Sequence, residues 1–379
     1  MLSLFLAIWI YLAIFGYINL YPNNIKMNRL TKRLNFKFDD MNYIFSLINE
    51  IDKLNTEFSL DNKLSPQWIK RLTQSIVITS SWASNRIEWN RLTNEEIESL
   101  YKNIRIKKFK TRDQQEVAWY IEVLETIFDS YNWMNFNEWL ILQLHWMMLK
   151  YTEKDEWHRW HYKFWPNRVE ARDSQWNLVK VIFNPTEPAL TPIEMHDLIE
   201  RIEKSLNEKK IHPLIIISNF LFEFLAIHPF QDWNWRMSRL LTNLLLLQQW
   251  YKFMPYISHE TLIESQKADY YIALWKSQQT WKTDEENIFP RIKFFLEIIK
   301  EQAEQSVGLA NWENINLYLS DKQNIVWNYI YANHPCSRKE IVQWTWLAEW
   351  TVKQAITKLI GMWKIIRLWE TRGIKYDIL

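Results

Sequence analysis

The chain has 379 residues, enough at about 100 to 200 residues per domain for two or three domains with a sizeable hydrophobic core. The 46 basic residues, lysine and arginine, nearly balance 44 acidic ones, and the net charge of +2 gives no global argument for a nucleic-acid or other acidic partner. A single cysteine, Cys336, excludes an internal disulfide and favours a reducing compartment, so we expect a cytoplasmic protein.

Tryptophan and glycine are present in abnormal proportions. The chain has 24 tryptophan residues and 4 glycine residues, whereas glycine usually makes up about 7% of a protein. Tryptophan also stands in turn sequences that favour glycine, as at Trp176 in Asp-Ser-Gln-Trp-Asn, where a positive φ is expected. This pattern favours the hypothesis that many of these tryptophans are UGA codons that the source organism reads as glycine.

Residues 1–22 carry no charged side chain and are long enough to span a bilayer. A cleaved signal peptide fits poorly, because neither a basic n-region nor a small-residue cleavage site is present. The segment is followed by a basic flank that would keep the body of the protein in the cytoplasm: Lys26, Arg29, Lys32 and Arg33. Two interpretations stay open, a membrane anchor and a misplaced start with Met27 as the true first residue.

Apolar residues with helical spacing predict a mainly α-helical body from about residue 41 to 305. Residues 163–186 are the exception, because apolar segments on both sides of a Ser-Gln-Trp-Asn turn predict a β-hairpin. We divide the body into an N-terminal helical region at 41–110 and a larger domain at 111–310. Asn311 to Asn324 is the expected linker to a C-terminal domain.

Residues 228–239 combine a histidine, a carboxylate, an amide and two arginines between two apolar helices, in the string HPFQDWNWRMSR. This set of groups suits a nucleotide polyphosphate. Arginine binds phosphate oxygens, aspartate can share Mg²⁺ with them, and the N–H groups at a helix N-terminus bind anions. Trp233 and Trp235 do not suit such a loop, whereas glycine at both positions would let the backbone approach the phosphates.

With glycine at those two positions the string resembles the signature HPFx(D/E)GNGRxxR of the Fic family, whose members mostly transfer AMP from ATP to protein hydroxyls. Seven of the nine specified residues match as written, and all nine match with the two glycines. The resemblance covers roughly residues 75–300. It implies a Fic-type helical bundle with a β-hairpin flap at 163–186 that aligns a target segment by β-strand addition.

The resemblance also implies a role for each residue of the motif. His228 would be the general base on a target hydroxyl, Asp232 would bind Mg²⁺, and Phe230 would anchor the loop. Phosphate binding is implied for the other loop and helix positions: Trp233, Asn234, Trp235, Arg236 and Arg239.

Two further segments resemble parts of the same family. Ser84-Asn-Arg-Ile-Glu88 followed by Trp89 is similar to the inhibitory (S/T)xxxE(G/N) helix, with tryptophan again in place of glycine. It implies that Glu88 pairs with Arg239 in the resting state and displaces the γ-phosphate. Tyr270-Tyr271-Ile-Ala-Leu is similar to a segment near the adenine, which implies that Tyr271 contacts the nucleotide.

Residues 321–379 predict three helices followed by a hairpin, with Ser337 as the N-cap of the second helix. With glycine for tryptophan, the segment that begins at Thr345 becomes TGLAEGTV, which is typical of the turn in a helix-turn-helix. The whole region resembles the winged-helix domain that often follows a Fic domain. The fold alone does not decide among binding to DNA, docking to a protein and forming a homodimer.

The sequence therefore predicts a mainly α protein adenylyltransferase that uses Mg²⁺ and ATP and is autoinhibited by Glu88. Its target is a serine, threonine or tyrosine hydroxyl of an unknown protein, with the chain itself included. The alternative is a winged-helix DNA-binding regulator with a degenerate, inactive Fic domain, which becomes the better interpretation if Trp233 and Trp235 are genuine. A membrane partner through residues 1–22 also stays open.

Overall fold

The computed structural model describes residues 29–58, 66–88, 111–150, 159–172, 178–361, 364–370 and 373–378. Within these ranges the chain forms two compact units, one of residues 29–58 and 66–306 and one that begins at residue 307. No helix within these ranges has the length and hydropathy needed to cross a bilayer. The predicted anchor at residues 1–22 lies outside the described residues.

The first unit is mainly helical, as predicted. Its helices, with the last one continuing into the second unit, are α1 (Arg29–Lys32), α2 (Phe38–Glu57), α3 (Pro66–Ile87), α4 (Arg112–Ser130), α5 (Glu138–Leu149), α6 (Thr191–Glu208), α7 (Pro213–Ile227), α8 (Asn234–Gln248), α9 (His259–Ser265), α10 (Lys267–Gln278) and α11 (Phe289–Tyr318). Strands β1 (Val169–Arg172) and β2 (Leu178–Phe183) pair in antiparallel fashion. The predicted hairpin is thereby confirmed in its strands, whereas its turn lies outside the described residues.

Helix α7 forms the centre of the first unit, because every residue from Leu214 to Ile227 is buried. Pro213 occupies its first turn, where proline is favoured because the missing N–H has no intrahelical partner. Helix α7 packs against α6 and α8, and α8 also packs against α4. This packing fixes the direction in which the chain leaves α7 and enters α8.

Two arginines of the predicted basic flank make contacts with helix α7. Arg29 and Arg33 both pair with Glu223, a buried carboxylate on α7. Arg33 also donates from Nε to Asn219 Oδ1 of the same helix over 2.7 Å. A buried carboxylate is stable only when it is paired, so these two arginines stabilise α7.

The second unit contains α12 (Asp321–Asn333), α13 (Arg338–Thr345) and α14 (Glu349–Gly361), followed by strands β4 (Ile365–Glu370) and β5 (Gly373–Ile378). A short strand β3 (Cys336–Ser337) adds to the other edge of β5, so the antiparallel sheet has the order β3-β5-β4. Ser337 caps α13 in a capping box with Glu340, which confirms the predicted N-cap. The order of three helices and a hairpin also agrees with the prediction, and DNA binding stays a prediction.

The prediction of a linker from Asn311 to Asn324 is wrong. Helix α11 continues to Tyr318, and α12 begins at Asp321. The break between them is set by Ser320, which caps α12 in a capping box with Gln323. The asparagine-rich composition suggested a loop, but the segment contains neither the glycine nor the proline that would interrupt a helix.

Candidate active site

The loop from His228 to Trp233 joins α7 to α8 and reverses the chain between them. His228 ends α7 in the left-handed region, with φ 54° and ψ 61°, and its N–H donates to Phe224 O over 2.9 Å. Trp233, the N-cap of α8, is also left-handed, with φ 74° and ψ 5°. These two residues place the His228 ring beside the N-terminus of α8, where its centroid lies 6.4 Å from the Trp235 ring.

Phe230 and Asn234 hold the middle of this loop. The Phe230 ring is fully buried and stacks on the His145 ring at a centroid distance of 3.8 Å. Asn234 Oδ1 accepts from Phe230 N over 2.9 Å, and Asn234 Nδ2 donates to Phe230 O over 2.8 Å. The position of Phe230 therefore agrees with its expected role as an anchor. Asn234 orders the loop in this structure, and its contact with phosphate stays a prediction.

The electrostatic surroundings of His228 favour the neutral imidazole. Burial and the nearby Lys163 ammonium lower the pKa of His228 to about 3. A histidine accepts a proton only in its neutral form, and this environment keeps His228 in that form near neutral pH.

The predicted metal and phosphate ligands are joined to two residues that the sequence analysis did not single out. Arg236 Nη2 donates to Glu116 Oε2 over 2.9 Å, and Arg112 Nε donates to Glu116 Oε1 over 3.0 Å. Arg112 Nη2 also donates to Asp232 Oδ2 over 3.3 Å. Burial raises the pKa of Glu116, while both guanidiniums oppose the shift. Glu116 lies 120 residues before Arg236, and no sequence signal connects a helical glutamate to an arginine at that separation.

The residues predicted to restrain the site are brought together by α3. Arg239, only 1% exposed, donates from Nε to Ser84 Oγ over 3.0 Å and from Nη2 to Ser84 O over 3.2 Å. Its Nη2 also donates to Glu88 Oε1 over 3.0 Å. Burial opposes the charge of Arg239, but the Glu88 carboxylate and neighbouring tyrosines raise the pKa of Arg239 above its ordinary value.

Helix α3 is attached to α9 as well as to Arg239. Ser80 Oγ donates to Ser258 Oγ over 2.9 Å at the N-cap of α9. Arg86 donates to both carboxylate oxygens of Glu264, over 2.5 and 2.7 Å. Two helices of the first unit therefore hold the segment that carries Ser84 and Glu88.

Trp233 and Trp235 occupy the space beside the predicted phosphate ligands. The Trp233 side chain is 3% exposed, and its ring lies against the Arg236 guanidinium at 4.3 Å. Its Nε1 is buried without a hydrogen-bond partner among the described residues. The Trp235 ring lies 5.3 Å from the Tyr271 ring, so Tyr271 lies near the start of α8, and its contact with the nucleotide stays a prediction.

Tryptophan is over-represented at backbone positions that favour glycine. Seven non-glycine residues in the described ranges have a positive φ, and four of them are tryptophan: Trp160, Trp233, Trp250 and Trp346. Glycine enters this region without steric cost, whereas residues with a Cβ enter it rarely.

The residues present fit a magnesium ion that is bound together with a nucleotide. Asp232 has a side chain that is 58% exposed. The described part of the chain contains no cluster of three or more histidine, cysteine, aspartate or glutamate residues able to hold a metal. Mg²⁺ is commonly bound by one or two carboxylates together with substrate phosphates, so a single carboxylate such as Asp232 fits that chemistry, and the magnesium site stays a prediction.

Comparison with known proteins agrees with this geometry. Residues 135–246 match the model of the Fic/DOC family, and this range contains the whole loop. A Fic family protein from Desulfovibrio desulfuricans G20 has a similar structure, with a TM-score of 0.55 and 22% identity, covering 89% of this chain and 96% of that chain.

Two other solved structures are also similar. A Fic domain containing signaling protein from Bacteroides thetaiotaomicron VPI-5482 has a TM-score of 0.54 and 20% identity over 71% of this chain and 97% of that one. Fic-1 from C. elegans has a TM-score of 0.50 and 17% identity over 71% and 72% of the two chains. The fold of this protein is therefore that of Fic proteins.

Proposed function

We propose that this chain is a protein nucleotidyltransferase that transfers AMP from ATP to a hydroxyl group of a protein. The observation that carries the proposal is the arrangement at the start of α8. A neutral histidine and an exposed carboxylate lie in the loop before this helix, and two arginines lie in its first two turns. Such an end attracts phosphate through its N–H groups and its dipole.

The chemistry follows from the position of each group. His228 takes the proton of the target hydroxyl, and the hydroxyl oxygen forms a bond to the α-phosphorus of ATP. The bond from that phosphorus to the oxygen bridging the β-phosphate breaks, and diphosphate leaves. Asp232 would hold Mg²⁺, which neutralises charge on the phosphates, and Arg236 would stabilise the leaving diphosphate. Arg236 must exchange Glu116 for phosphate in order to do so.

Autoinhibition by α3 is part of the proposal. Glu88 and Ser84 occupy the Arg239 guanidinium, which would otherwise be available to the γ-phosphate. A carboxylate and a phosphate compete for one guanidinium because both accept charge-assisted hydrogen bonds from it. Release of Glu88 would therefore favour the ATP orientation in which the α-phosphorus faces the target.

The target protein would bind at the hairpin. Strands β1 and β2 form a two-stranded sheet, so each has an edge to which an extended peptide can add. The chemistry of this edge is set by backbone groups, so it does not select one target sequence. A second copy of the chain is included among the targets.

The proposal includes the hypothesis that many of the tryptophans, among them Trp233 and Trp235, are glycine in the source organism. The positive φ values at Trp160, Trp233, Trp250 and Trp346 support it, as does the near-total exposure of Trp346 at 91%. With glycine at 233 and 235, the two indole rings beside Arg236 and His228 would be absent, and the N–H groups of the loop would be accessible to phosphate.

The alternative function is that of a DNA-binding regulator with an inactive catalytic unit. Burial of the Trp233 ring against Arg236 favours it, since a genuine indole at this position fills the space that phosphate would need. DNA binding would then depend on residues 321–379, where Lys353 and Lys358 lie on α14 and Arg372 follows in sequence. Its binding constant would fall steeply with salt.

The test is transfer of label from α-labelled ATP to protein in a lysate of the source organism. We expect label with a variant that carries Trp233→Gly, Trp235→Gly and Glu88→Gly, and none after His228→Ala is added to it. The same triple variant without transfer, under conditions where it is folded, would contradict the proposal. Mass spectrometry of the peptide from His228 to Arg236 of the natural protein decides the glycine hypothesis independently.

A further inference from the structure

Lys163 and Asn167, which lie on the segment that leads into β1, contact the candidate catalytic loop at several points. The Lys163 side chain is buried, with 3% exposure of the residue. Its Nζ donates to Ile227 O over 2.9 Å and to Asn167 Oδ1 over 2.9 Å. Its backbone N–H donates to Pro229 O over 2.8 Å.

Asn167 completes the set of contacts. Its Nδ2 donates to Phe230 O over 2.8 Å and to His228 O over 3.4 Å. The four consecutive carbonyls from Ile227 to Phe230 therefore all accept hydrogen bonds from Lys163 or Asn167. Carbonyls at the end of a helix have no intrahelical partners, and a cation near them also stabilises the negative end of the helix dipole.

These contacts lie on both sides of His228, a residue with an unusual backbone conformation. His228 has φ 54°, a conformation that a residue with a Cβ adopts only when its surroundings impose it. The orientation of the His228 ring depends on this backbone conformation, because the ring is attached to the same Cα. The contacts to the carbonyls on both sides are therefore the contacts that determine where the imidazole lies.

We propose that Lys163 and Asn167 are positioning residues for His228. Asn167 fixes the backbone of the loop, and Lys163 fixes the backbone and places a positive charge on the residue before His228. This inference rests on the proposed function for the role of His228 as a base. Both residues bond to the backbone of the loop, so each would act through His228 and not on the substrate itself.

The charges around Lys163 support the electrostatic part of the inference. Burial lowers the pKa of Lys163 to about 8, while Glu187 and Glu194 oppose the shift and Lys282 adds to it. Lys163 is thus mainly protonated near neutral pH. Its positive charge disfavours a second positive charge on His228, whose pKa is lowered by burial and then by Lys163.

The experiment compares Lys163→Met, Lys163→Arg and Asn167→Ala, each in the Glu88→Gly background with glycine at 233 and 235. We expect Lys163→Met and Asn167→Ala to lower kcat by about tenfold or more with little change in KM for ATP, since a misplaced base affects the chemical step. Lys163→Arg keeps the charge and a donor, and should recover part of the loss. His196→Ala, at an exposed side chain remote from the motif in sequence, is the matched control.

The second readout is the titration of His228, followed by NMR in protein with ¹³C-labelled histidine. Removing the positive charge in Lys163→Met should raise the His228 midpoint, whereas Lys163→Arg and Asn167→Ala should leave it unchanged. Unchanged kcat in both Lys163→Met and Asn167→Ala would overturn the positioning role. An unchanged midpoint in Lys163→Met would overturn the electrostatic role.

The two proposals fail in distinguishable ways. If the background protein transfers no AMP, the proposed function fails, and the titration still decides whether Lys163 controls the charge of His228. If the background protein is active, Lys163→Met and Asn167→Ala both match it in rate, and Lys163→Met also matches it in midpoint, the inference fails and the proposed function stands. Thermal unfolding of each variant identifies any that do not fold, and Asn167→Ala then provides the kinetic test.

Discussion

The two ends of the segment from His228 to Arg239 are held by contacts of different chemical kinds. At the His228 end, Lys163 and Asn167 bond to four backbone carbonyls. At the Arg239 end, Ser84 and Glu88 bond to a guanidinium. A ligand phosphate can replace a carboxylate on a guanidinium, but it cannot replace a donor on a carbonyl. On the proposed function, the first end is therefore expected to remain in place, and the second is expected to exchange its carboxylate for phosphate.

The largest expected effect is at the end that remains in place. His228→Ala in the active background should lower the rate of AMP transfer by about 10² to 10⁴, which is the usual contribution of a general base. The rate is measured from the initial incorporation of labelled AMP into protein. An activity equal to that of the His196→Ala control would contradict the assignment of His228 as the base, because another group would then take the proton.

Glu88→Gly should have the largest effect at the exchangeable end. Loss of the carboxylate leaves Arg239 Nη2 with the Ser84 carbonyl alone and removes the charged competitor for phosphate. We expect the transfer rate to rise by about 5- to 150-fold, the range typical of coupling between two sites. Glu88→Gln, which keeps the shape and removes the charge, should give a smaller rise in the same assay. A fall in rate for both variants would mean that Glu88 supports the active state instead of opposing it.

Glu264→Gln should give the smallest effect, because it weakens the attachment of α3 to α9 and leaves the contacts of Arg239 unchanged. The Arg86 and Glu264 side chains are 36% and 25% exposed, and a partly exposed pair contributes about 0.2 to 1 kcal/mol. The corresponding rise in transfer rate is at most about fivefold. The change should have no effect when Glu88 is already glycine, and a rise in that background would show that Glu264 acts by another route.

Much of this organisation could be predicted from the sequence, but only where the signal is local. The motif at 228–239 identified the loop between two helices, and apolar segments on both sides of the turn at 173–177 identified the hairpin. The pair of Glu88 with Arg239 was predicted because a known pattern connects the two positions, and the structure brings them to 3.0 Å.

Contacts between distant positions could not be predicted in this way. Lys163 bonds to main-chain oxygens 64 and 66 residues later, and a backbone acceptor leaves no trace in the residue type. Glu116 is read from sequence as an ordinary helical glutamate, although it contacts Arg236. Asn234 was assigned to phosphate from its place in the motif, whereas its amide bonds to Phe230.

Asn167 is separated from the first residue of β1 by one residue. A peptide added to the edge of β1 would therefore be joined to the loop of His228 through a link too short to stretch or bend freely. Binding of a target and positioning of the base would then both depend on the short segment between Asn167 and β1. On the proposed function, the segment that would receive the target is therefore the same segment that holds the loop of the base.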